Sequence, residues 1–123
     1  MSKRRVVITG LGIISPVGNT VEQAWSNILA GKSGISRITR FDPTLFTSQI
    51  AGEVKGFDVT EYISAKEARR MDIFIHYGLA AGIQAIKDSG IVVTPENAER
   101  IGVNIGSGIG GLPMIEDTHN TYL

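Results

Sequence analysis

The clearest pattern along the chain is an amphipathic helix near its start. Thr20 followed by Gln23 has the form of a capping box, which predicts that a helix begins there. The apolar positions that follow are spaced three and four residues apart, so they share one helix face, and Gly31 supplies the stop. These positions are Val21, Ala24, Trp25, Ile28 and Leu29.

A second helical region is predicted to begin at Ser64, which forms another capping-box pattern with Glu67, and to run to Asp88. A break is expected near Met71–Asp72. The segment after the break, IFIHYGLAAGIQAIKDSG, is apolar nearly all round, which is typical of a helix buried on most sides, and Gly90 ends it. Small residues along this helix allow a neighbouring backbone to approach closely; they are Gly78, Ala80, Ala81, Gly82 and Ala85.

Short apolar runs predict the strands. Val6–Thr9 is β-branched and is expected to form a buried strand, Ile50–Val54 a short strand at a sheet edge, and the RIGVNIG segment at 100–106 a further strand. Residues 32–46 carry polar side chains and a proline, and they are predicted to be irregular.

The order of the elements indicates the fold class. A short helix is predicted to start at Thr94–Asn97, where a proline takes the first helical position, and another is predicted around Met114–Tyr122. Alternating strands and helices favour an α/β layered fold with a largely parallel sheet. Two clear strands are too few for a finished sheet, and the central helix is too apolar for a free surface. We therefore expect residues 1–123 to be part of a larger unit, with no complete domain and no internal boundary.

Composition excludes several classes of protein. Hydrophobic residues make up 42% of the chain and charged residues 20%, as in a soluble globular protein, and a formal net charge of zero gives no support for nucleic-acid binding. The chain has no cysteine, so it carries no disulfide, no cysteine-ligated metal and no thiol nucleophile. His76 is expected to be a packed or hydrogen-bonded helix residue, and with only His119 beside it a metal cluster is not expected.

The N-terminal sequence has some features of a targeting signal. MSKRR followed by VVITGLGII resembles the basic and apolar parts of a signal peptide. Glycines interrupt the apolar run, Ser15-Pro16 ends it, and no small-x-small cleavage pattern follows, so a buried first strand is preferred. No run approaches the length of a transmembrane helix. These features predict a cytoplasmic protein that does not associate with membranes.

Two glycine motifs raise the question of a nucleotide site. Gly106, Gly108 and Gly111 match the spacing G-x-G-x-x-G after an apolar run, where a dinucleotide-binding turn would hold a pyrophosphate at a helix N-terminus. The other interpretation is a tight turn where backbone packs closely. Gly10 and Gly12 imitate the same fingerprint, but the helix after them is delayed and no acidic residue stands at the expected distance.

A basic cluster lies at the start of the second helical region. Lys66, Arg69 and Arg70 are spaced three and four residues apart and are expected on one helix face. Positive charge near a helix N-terminus opposes the helix dipole. Two interpretations stay open from the residues alone: Glu67 and Asp72 compensate the charge locally, or the cluster faces an acidic partner.

Four blocks together closely resemble the β-ketoacyl-[acyl-carrier-protein] synthase family, and most closely its elongating type II branch in bacterial fatty acid synthesis. The blocks are KRRVVITGLGIISPVGNT, KSGIS, RRMDIFIHYGLAAGIQAIKDSG and RIGVNIGSGIGG, in the family's order and spacing over essentially the whole chain. The resemblance implies a thiolase-like fold with α-β-α-β-α layers, of which this chain is the incomplete N-terminal part, and a homodimer at full length. No cofactor or metal is implied.

The family's reaction is a decarboxylating Claisen condensation of an acyl-enzyme thioester with malonyl-carrier-protein. Its nucleophilic cysteine, two histidines and supporting lysine lie beyond Leu123, downstream of the region matched here. The resemblance therefore places no catalytic residue in this chain, and we expect the 123 residues alone to be inactive.

The resemblance does carry over a partner surface and a substrate contact. Lys66, Arg69 and Arg70 match the patch that docks acidic acyl carrier protein, which brings the acyl and malonyl substrates. Ile109 matches a residue beside the acyl pocket that gates chain entry and length, and its neighbours Gly108 and Gly110 give it room to move. Two alternatives remain: a non-catalytic scaffold like a chain-length factor, and a dinucleotide-binding oxidoreductase fragment.

Overall fold

The computed structural model describes residues 3–123, so the first two residues of the basic N-terminal stretch lie outside it. Four helices and two strands follow one another, with single helical turns at Val59–Glu61 and Ala98–Arg100. In chain order they are α1 (Val21–Leu29), β1 (Ile35–Arg37), β2 (Ile50–Gly52), α2 (Ala65–Ala68), α3 (Ile73–Ser89) and α4 (Leu112–Tyr122). Over this described range, no helix has both the length and the apolar character needed to cross a bilayer.

The first predicted helix is confirmed as α1. Thr20 Oγ1 accepts a hydrogen bond from the backbone N–H of Gln23 at 3.2 Å, and Gly31, with φ of 65°, follows the helix end. The side chain of Gln23 accepts from the N–H of Asn19 at 2.7 Å, one residue earlier than a standard capping box requires. Only Ala24 of the apolar face is buried, whereas Trp25 is 60% exposed, so most of this face has no packing partner among the described residues.

The predicted break in the second helical region is also confirmed. The capping box at Ser64 forms with both of its hydrogen bonds, and α2 ends at Ala68. The helix α3 then begins with Asp72 as its N-cap and ends at Gly90, whose φ of 65° is the left-handed conformation that suits glycine. Its side chains are mostly half-buried, and Ala80 is fully buried.

Residues 10–13 lie directly against the backbone of α3. A Cβ atom at Gly10 would overlap the carbonyl oxygen of Ala85, and one at Gly12 would overlap the carbonyl oxygen of Ala81. Neither glycine has a positive φ, so what requires glycine here is the close approach of two backbones. This contact confirms the expectation that small residues on the helix admit a neighbouring backbone, and it explains the first glycine motif without a nucleotide.

Hydrogen bonds from α3 side chains hold the same loop. The N–H of Leu11 donates to Asp88 Oδ2 at 2.8 Å, and the N–H of Ile13 donates to Gln84 Oε1 at 3.2 Å. The Nε2 of Gln84 also donates to the carbonyl oxygen of Asn19 at 2.7 Å and to the hydroxyl of Tyr62 at 2.8 Å. Gln84 therefore joins the residues before α1 to the region before α2, and every polar atom of its amide group has a partner.

The sheet differs from the prediction. Over residues 3–123, the described sheet is a two-stranded antiparallel pair in which Ile35 faces Gly52 and Arg37 faces Ile50. The edge strand is confirmed as β2, but its partner β1 lies within 32–46, which were predicted to be irregular. A three-residue strand is too short to show the alternation of apolar and polar residues that marks a strand in a sequence. Whether such a segment forms a strand therefore depends on the segment that pairs with it.

The expectation of a largely parallel sheet is wrong for the described residues. The runs at 6–9 and 101–105 form no strand in the structure, and Val6 and Val103 are 88% and 79% exposed. An extended segment becomes a strand only where another segment completes its ladder of hydrogen bonds. The short helix predicted to start at Thr94–Asn97 forms as a turn followed by the single helical turn Ala98–Arg100. The N–H of Ala98 donates to the carbonyl oxygen of Thr94 at 2.9 Å, and the N–H of Thr94 donates to Asn97 Oδ1 at 2.8 Å.

The contact between Gly12 and α3 yields a test. We expect Gly12→Ala to destabilise a full-length protein carrying this sequence by about 1–3 kcal/mol, because the new methyl group overlaps helix backbone that cannot move aside. The matched control is Gly82→Ala, whose Cβ would meet only Ile105 Cδ1 at 3.8 Å and which adds a better helix former. Chemical denaturation followed by circular dichroism measures both. A Gly12→Ala protein as stable as the parent would contradict the close approach.

Candidate functional site

The basic cluster of Lys66, Arg69 and Arg70 is fully on the surface. Lys66 lies in α2, whereas Arg69 and Arg70 form the turn after it, and all three side chains are exposed. The helix ends slightly before the predicted break near Met71–Asp72. α2 stops at Ala68, and the turn after it, in which the N–H groups of Arg69 and Arg70 donate to the carbonyl oxygens of Ala65 and Glu67, carries two of the three charges. Ala68, on the other side of this segment, is 8% exposed and anchors it. The cluster thus lies on the exposed segment that leads from α2 to α3.

Glu67 does not compensate this cluster through a direct bond. Its Oε2 accepts from the hydroxyl of Ser64 at 2.6 Å and from the N–H of Ser64 at 3.2 Å. The hydrogen bond from the Ser64 side chain, followed by that from its backbone, lowers the pKa of Glu67 below the usual 4.5, so this carboxylate is ionised at neutral pH. Its charge is directed at the start of α2, where it completes the capping box.

The carboxylate of Asp72 likewise accepts hydrogen bonds from backbone N–H groups and not from the basic cluster. Asp72 is the buried charged residue of the described chain, 8% exposed, and its two carboxylate oxygens have different partners. Oδ1 accepts from the N–H of Ile73 at 2.6 Å, and Oδ2 accepts from the N–H of Met114 at 3.2 Å. Both acidic residues proposed as local compensators therefore serve helix N-termini, which leaves the three cations available to a partner.

The loop at 106–111 needs glycine at its end and not at its start. Gly110 has φ of 76°, and a Cβ there would lie 3.1 Å from Phe74 Cζ. A Cβ at Gly111 would overlap Oδ2 of Asp72. Gly106 and Gly108 have open space within 4 Å and no positive φ, so neither is required on steric grounds in this structure.

The N-terminus of α4 is already bound to a carboxylate. The N–H of Leu112 donates to the carbonyl oxygen of Gly110 at 3.1 Å, Pro113 has no N–H, and Met114 donates to Asp72. A pyrophosphate placed here would meet a fixed negative charge at the point where the fingerprint needs free donors. The geometry favours close packing, at Gly110 and Gly111, over the dinucleotide site.

Ile109 lies at the exposed tip of this loop, with 78% of its surface accessible. The loop separates two apolar grooves that share Phe74 and Ile75 as a wall. One groove, of about 490 Å³, is lined by the start of the loop and by α3, and the other, of about 640 Å³, by Gly111 and α4. Ile109 itself lines neither groove, so a role at an acyl pocket depends on movement of the loop or on further chain.

The two histidines have different surroundings. His76 Nε2 lies 2.9 Å from the carbonyl oxygen of Ala68, which confirms it as a hydrogen-bonded helix residue. His119 lines the groove beside α4. Across residues 3–123, no three His, Cys, Asp or Glu side chains come together in a way that could hold a metal ion.

Sequence reasoning missed the bridging role of Asp72. An acidic residue directly before an apolar helix is a recognisable N-cap signal, and it was present in RRMDIF. The second hydrogen bond, to Met114, is made 42 residues along the chain, and no local pattern indicates it.

Comparison with known proteins places this geometry in context. The family model described as "Beta-ketoacyl synthase, N-terminal domain" matches residues 3–122. The "3-oxoacyl-[acyl-carrier-protein] synthase 2" of Vibrio cholerae serotype O1 is 62% identical over the whole chain, and the protein of that name from Staphylococcus aureus is 47% identical over 98% of it. The chain spans about 30% of the length of these curated relatives.

A solved structure described as "The ishigamide ketosynthase/chain length factor" is also similar. It superposes with a TM-score of 0.66 and 37% identity, covering 74% of this chain and 23% of that one. The shared fold extends over most of the described residues, which confirms the expected thiolase-like class even though only a small antiparallel sheet forms here.

Proposed function

The chain belongs to the β-ketoacyl synthase family, and we propose that it forms the N-terminal part of an elongating 3-oxoacyl-[acyl-carrier-protein] synthase. The observation that carries this proposal is 62% identity along all 123 residues to a relative with that name. Residues 1–123 are proposed to lie within one half of the synthase with no internal boundary. The full-length protein is proposed to be a cytoplasmic homodimer without cofactor or metal.

The proposed reaction joins two thioesters with loss of carbon dioxide. An acyl group is carried on an enzyme cysteine, malonyl-carrier-protein loses CO₂, and the resulting carbanion attacks the acyl carbonyl carbon and expels the cysteine thiolate. The 123 residues contain no cysteine, so this chain does not supply the nucleophile. Its contribution is proposed to be partner binding and control of acyl entry.

The basic cluster supports docking of an acidic carrier protein. Lys66, Arg69 and Arg70 are exposed, and the nearby carboxylates of Glu67 and Asp72 are engaged at helix starts. Individual surface ion pairs contribute only about 0–1 kcal/mol, so three cations in one place act mainly by steering encounter and fixing orientation. Their position on one short exposed segment suits such a partner.

The loop at 106–111 supports a gating role for Ile109. Gly110 adopts a conformation that glycine favours, directly after Ile109, and Gly108 has open space around it. We propose that this freedom lets the Ile109 side chain move between the exposed position seen here and an acyl pocket completed in the full-length synthase. The two grooves beside the loop are apolar and offer surface for such a chain.

A scaffold function is the second candidate. The similar solved structure combines a ketosynthase with a chain length factor in its description, and the scaffold hypothesis draws on that. The higher identity to relatives named as synthases, 62% against 37%, favours the catalytic proposal. The dinucleotide alternative is opposed by the carboxylate at the N-terminus of α4.

Condensing activity is the direct test of the proposed function. A full-length synthase carrying this sequence, given acyl-carrier-protein and malonyl-carrier-protein, is expected to form a 3-oxoacyl product extended by one two-carbon unit and to release one CO₂ per turnover. Mass spectrometry of the carrier protein measures the product. Binding of carrier protein with no product, and no cysteine available to acylation, would favour the scaffold.

Charge reversal tests the docking surface. In the same full-length synthase, Arg69→Glu or Lys66→Glu is expected to weaken carrier-protein binding several-fold at low salt. The effect is expected to become smaller as salt is added, because salt screens the charges and shortens the Debye length to about 10 Å at 0.1 M. Lys87→Glu is the matched control, since it lies near the far end of α3, 14 residues (87 − 73) or about 21 Å along the helix from Ile73. Titration calorimetry across ionic strength measures each. Equal affinity and equal salt dependence in parent and variants would exclude this surface.

Bulk at position 109 tests the gate. Ile109→Phe is expected to reduce turnover of long acyl primers while short primers are still used, because the larger side chain fills the path of the distal acyl carbons. Leu45→Phe is the control, as it makes a similar enlargement at a side chain that is 96% exposed. Specificity constants for primers of increasing length measure the effect. A chain-length profile that matches the parent would count against the gate.

A further inference from the structure

The N-terminus of α4 takes its cap from another helix. Gly111, at the N-cap position, has no side chain to accept a hydrogen bond, and the second helical residue is Pro113. The N–H of Met114 therefore has its partner in Oδ2 of Asp72, which is itself the N-cap of α3. One buried carboxylate thus caps two helices, and its charge suits the positive end of both helix dipoles.

This carboxylate also fixes the end of the gate loop. The Cα of Gly111 is so close to Asp72 that a Cβ atom there would overlap Oδ2. Gly110 is restrained on the same side by the ring of Phe74, 3.1 Å from its would-be Cβ. The loop therefore ends in a defined position on α3, while Ile109 at its tip stays 78% exposed.

Asp72 connects this loop to the basic cluster over a short path. Arg70 precedes Asp72 by two residues, and Ile109 precedes Gly111 by two residues. Two residues of extended chain reach at most about 7 Å, so the cluster and the loop tip each lie close to the same carboxylate. A partner bound at the cluster and an acyl chain passing Ile109 therefore share one rigid support.

We propose that Asp72 is a positioning residue that holds the Ile109 loop on α3 and thereby sets acyl-chain selectivity. The proposal rests on the synthase function proposed above. The hydrogen bond to Met114 keeps the loop end in place while its tip moves. Without it, the first turn of α4 loses its hydrogen bond to the N-cap of α3, and the tip no longer has a fixed hinge.

Asp72→Asn separates the two roles of the carboxylate. The amide oxygen still accepts from the N–H of Ile73 and preserves the cap of α3. The NH₂ group then faces the N–H of Met114, so two donors meet and the tie to α4 is lost. Gly111→Ala is a second variant, which forces the loop away from Asp72 and leaves the carboxylate unchanged.

Asp42→Asn is the matched control. It removes the same charge from a surface turn, where both hydrogen bonds from Thr44 go to a single oxygen that the amide oxygen of asparagine replaces. Asp42 lies in the segment between β1 and β2, and none of its hydrogen bonds involves the gate loop. This variant is expected to behave as the parent in every measurement below.

Three measurements on the full-length synthase decide the proposal. In Asp72→Asn, amide hydrogen exchange at Met114 is expected to rise by at least about tenfold, as loss of a hydrogen bond to a charged group predicts. The ratio of specificity constants between long and short primers is expected to change several-fold, with the same direction of change in Gly111→Ala. The KM for carrier protein is expected to change less than this ratio, because Lys66, Arg69 and Arg70 are all retained and only one nearby charge is removed.

The outcomes separate the two proposals. Faster exchange at Met114 with an unchanged primer profile would overturn the positioning role, and so would unchanged exchange. A general loss of turnover with equal effect on all primers would mark Asp72 as a folding residue only, and would also overturn the role. Absence of condensation in the parent protein would instead refute the synthase function, while the exchange measurement would still test the hydrogen bond between Asp72 and Met114.

Discussion

The surface of α3 controls how closely the rest of the chain can approach, and most other features follow from that approach. Glycine and alanine occupy half-buried positions along it, and Ala80 a fully buried one, where large side chains would keep neighbours away. Gly10 and Gly12 therefore contact helix backbone at one end, and Ile105 packs near Gly78 in the middle, 3.6 Å from its would-be Cβ. The contacts of Gly10 and Gly12 leave no space for an added methyl group, whereas Ile105 lies at an ordinary packing distance from Gly78.

Polar groups at the two ends of α3 complement this close packing. Gln84 and Asp88 bind the backbone N–H groups of the loop at 10–13, and Asp72 binds the start of α4. Backbone groups brought so close to a helix lose water and require such partners. At the N-terminal end of α3 this arrangement supports the proposed docking function. Because the nearby carboxylates cap helices, Lys66, Arg69 and Arg70 stay exposed for a partner of opposite charge.

Other apolar surfaces of the chain have no partner among residues 3–123. Trp25 and Leu29 on α1 are 60% and 70% exposed, although their helical spacing is that of a core-facing stripe. The runs at 6–9 and 101–105 have the composition of buried strands and form no ladder here. Such surfaces indicate packing against further elements, and the curated relatives are more than three times as long as this chain.

The sequence by itself determined the position of the main helices, several of their ends and the family. Thr20, Ser64 and Gly90 mark helix ends through bonds and dihedral angles that extend over only three or four residues, so a local pattern is sufficient to predict them. Only the tertiary structure decided which glycines are required by close packing and whether Glu67 and Asp72 bind the basic cluster. Gly12 meets Ala81 and Gly111 meets Asp72 across long separations in sequence, and the antiparallel pair β1–β2 arises within a stretch without alternation. Contacts of this kind depend on where the backbone passes in space, and a spacing such as G-x-G-x-x-G does not contain that information.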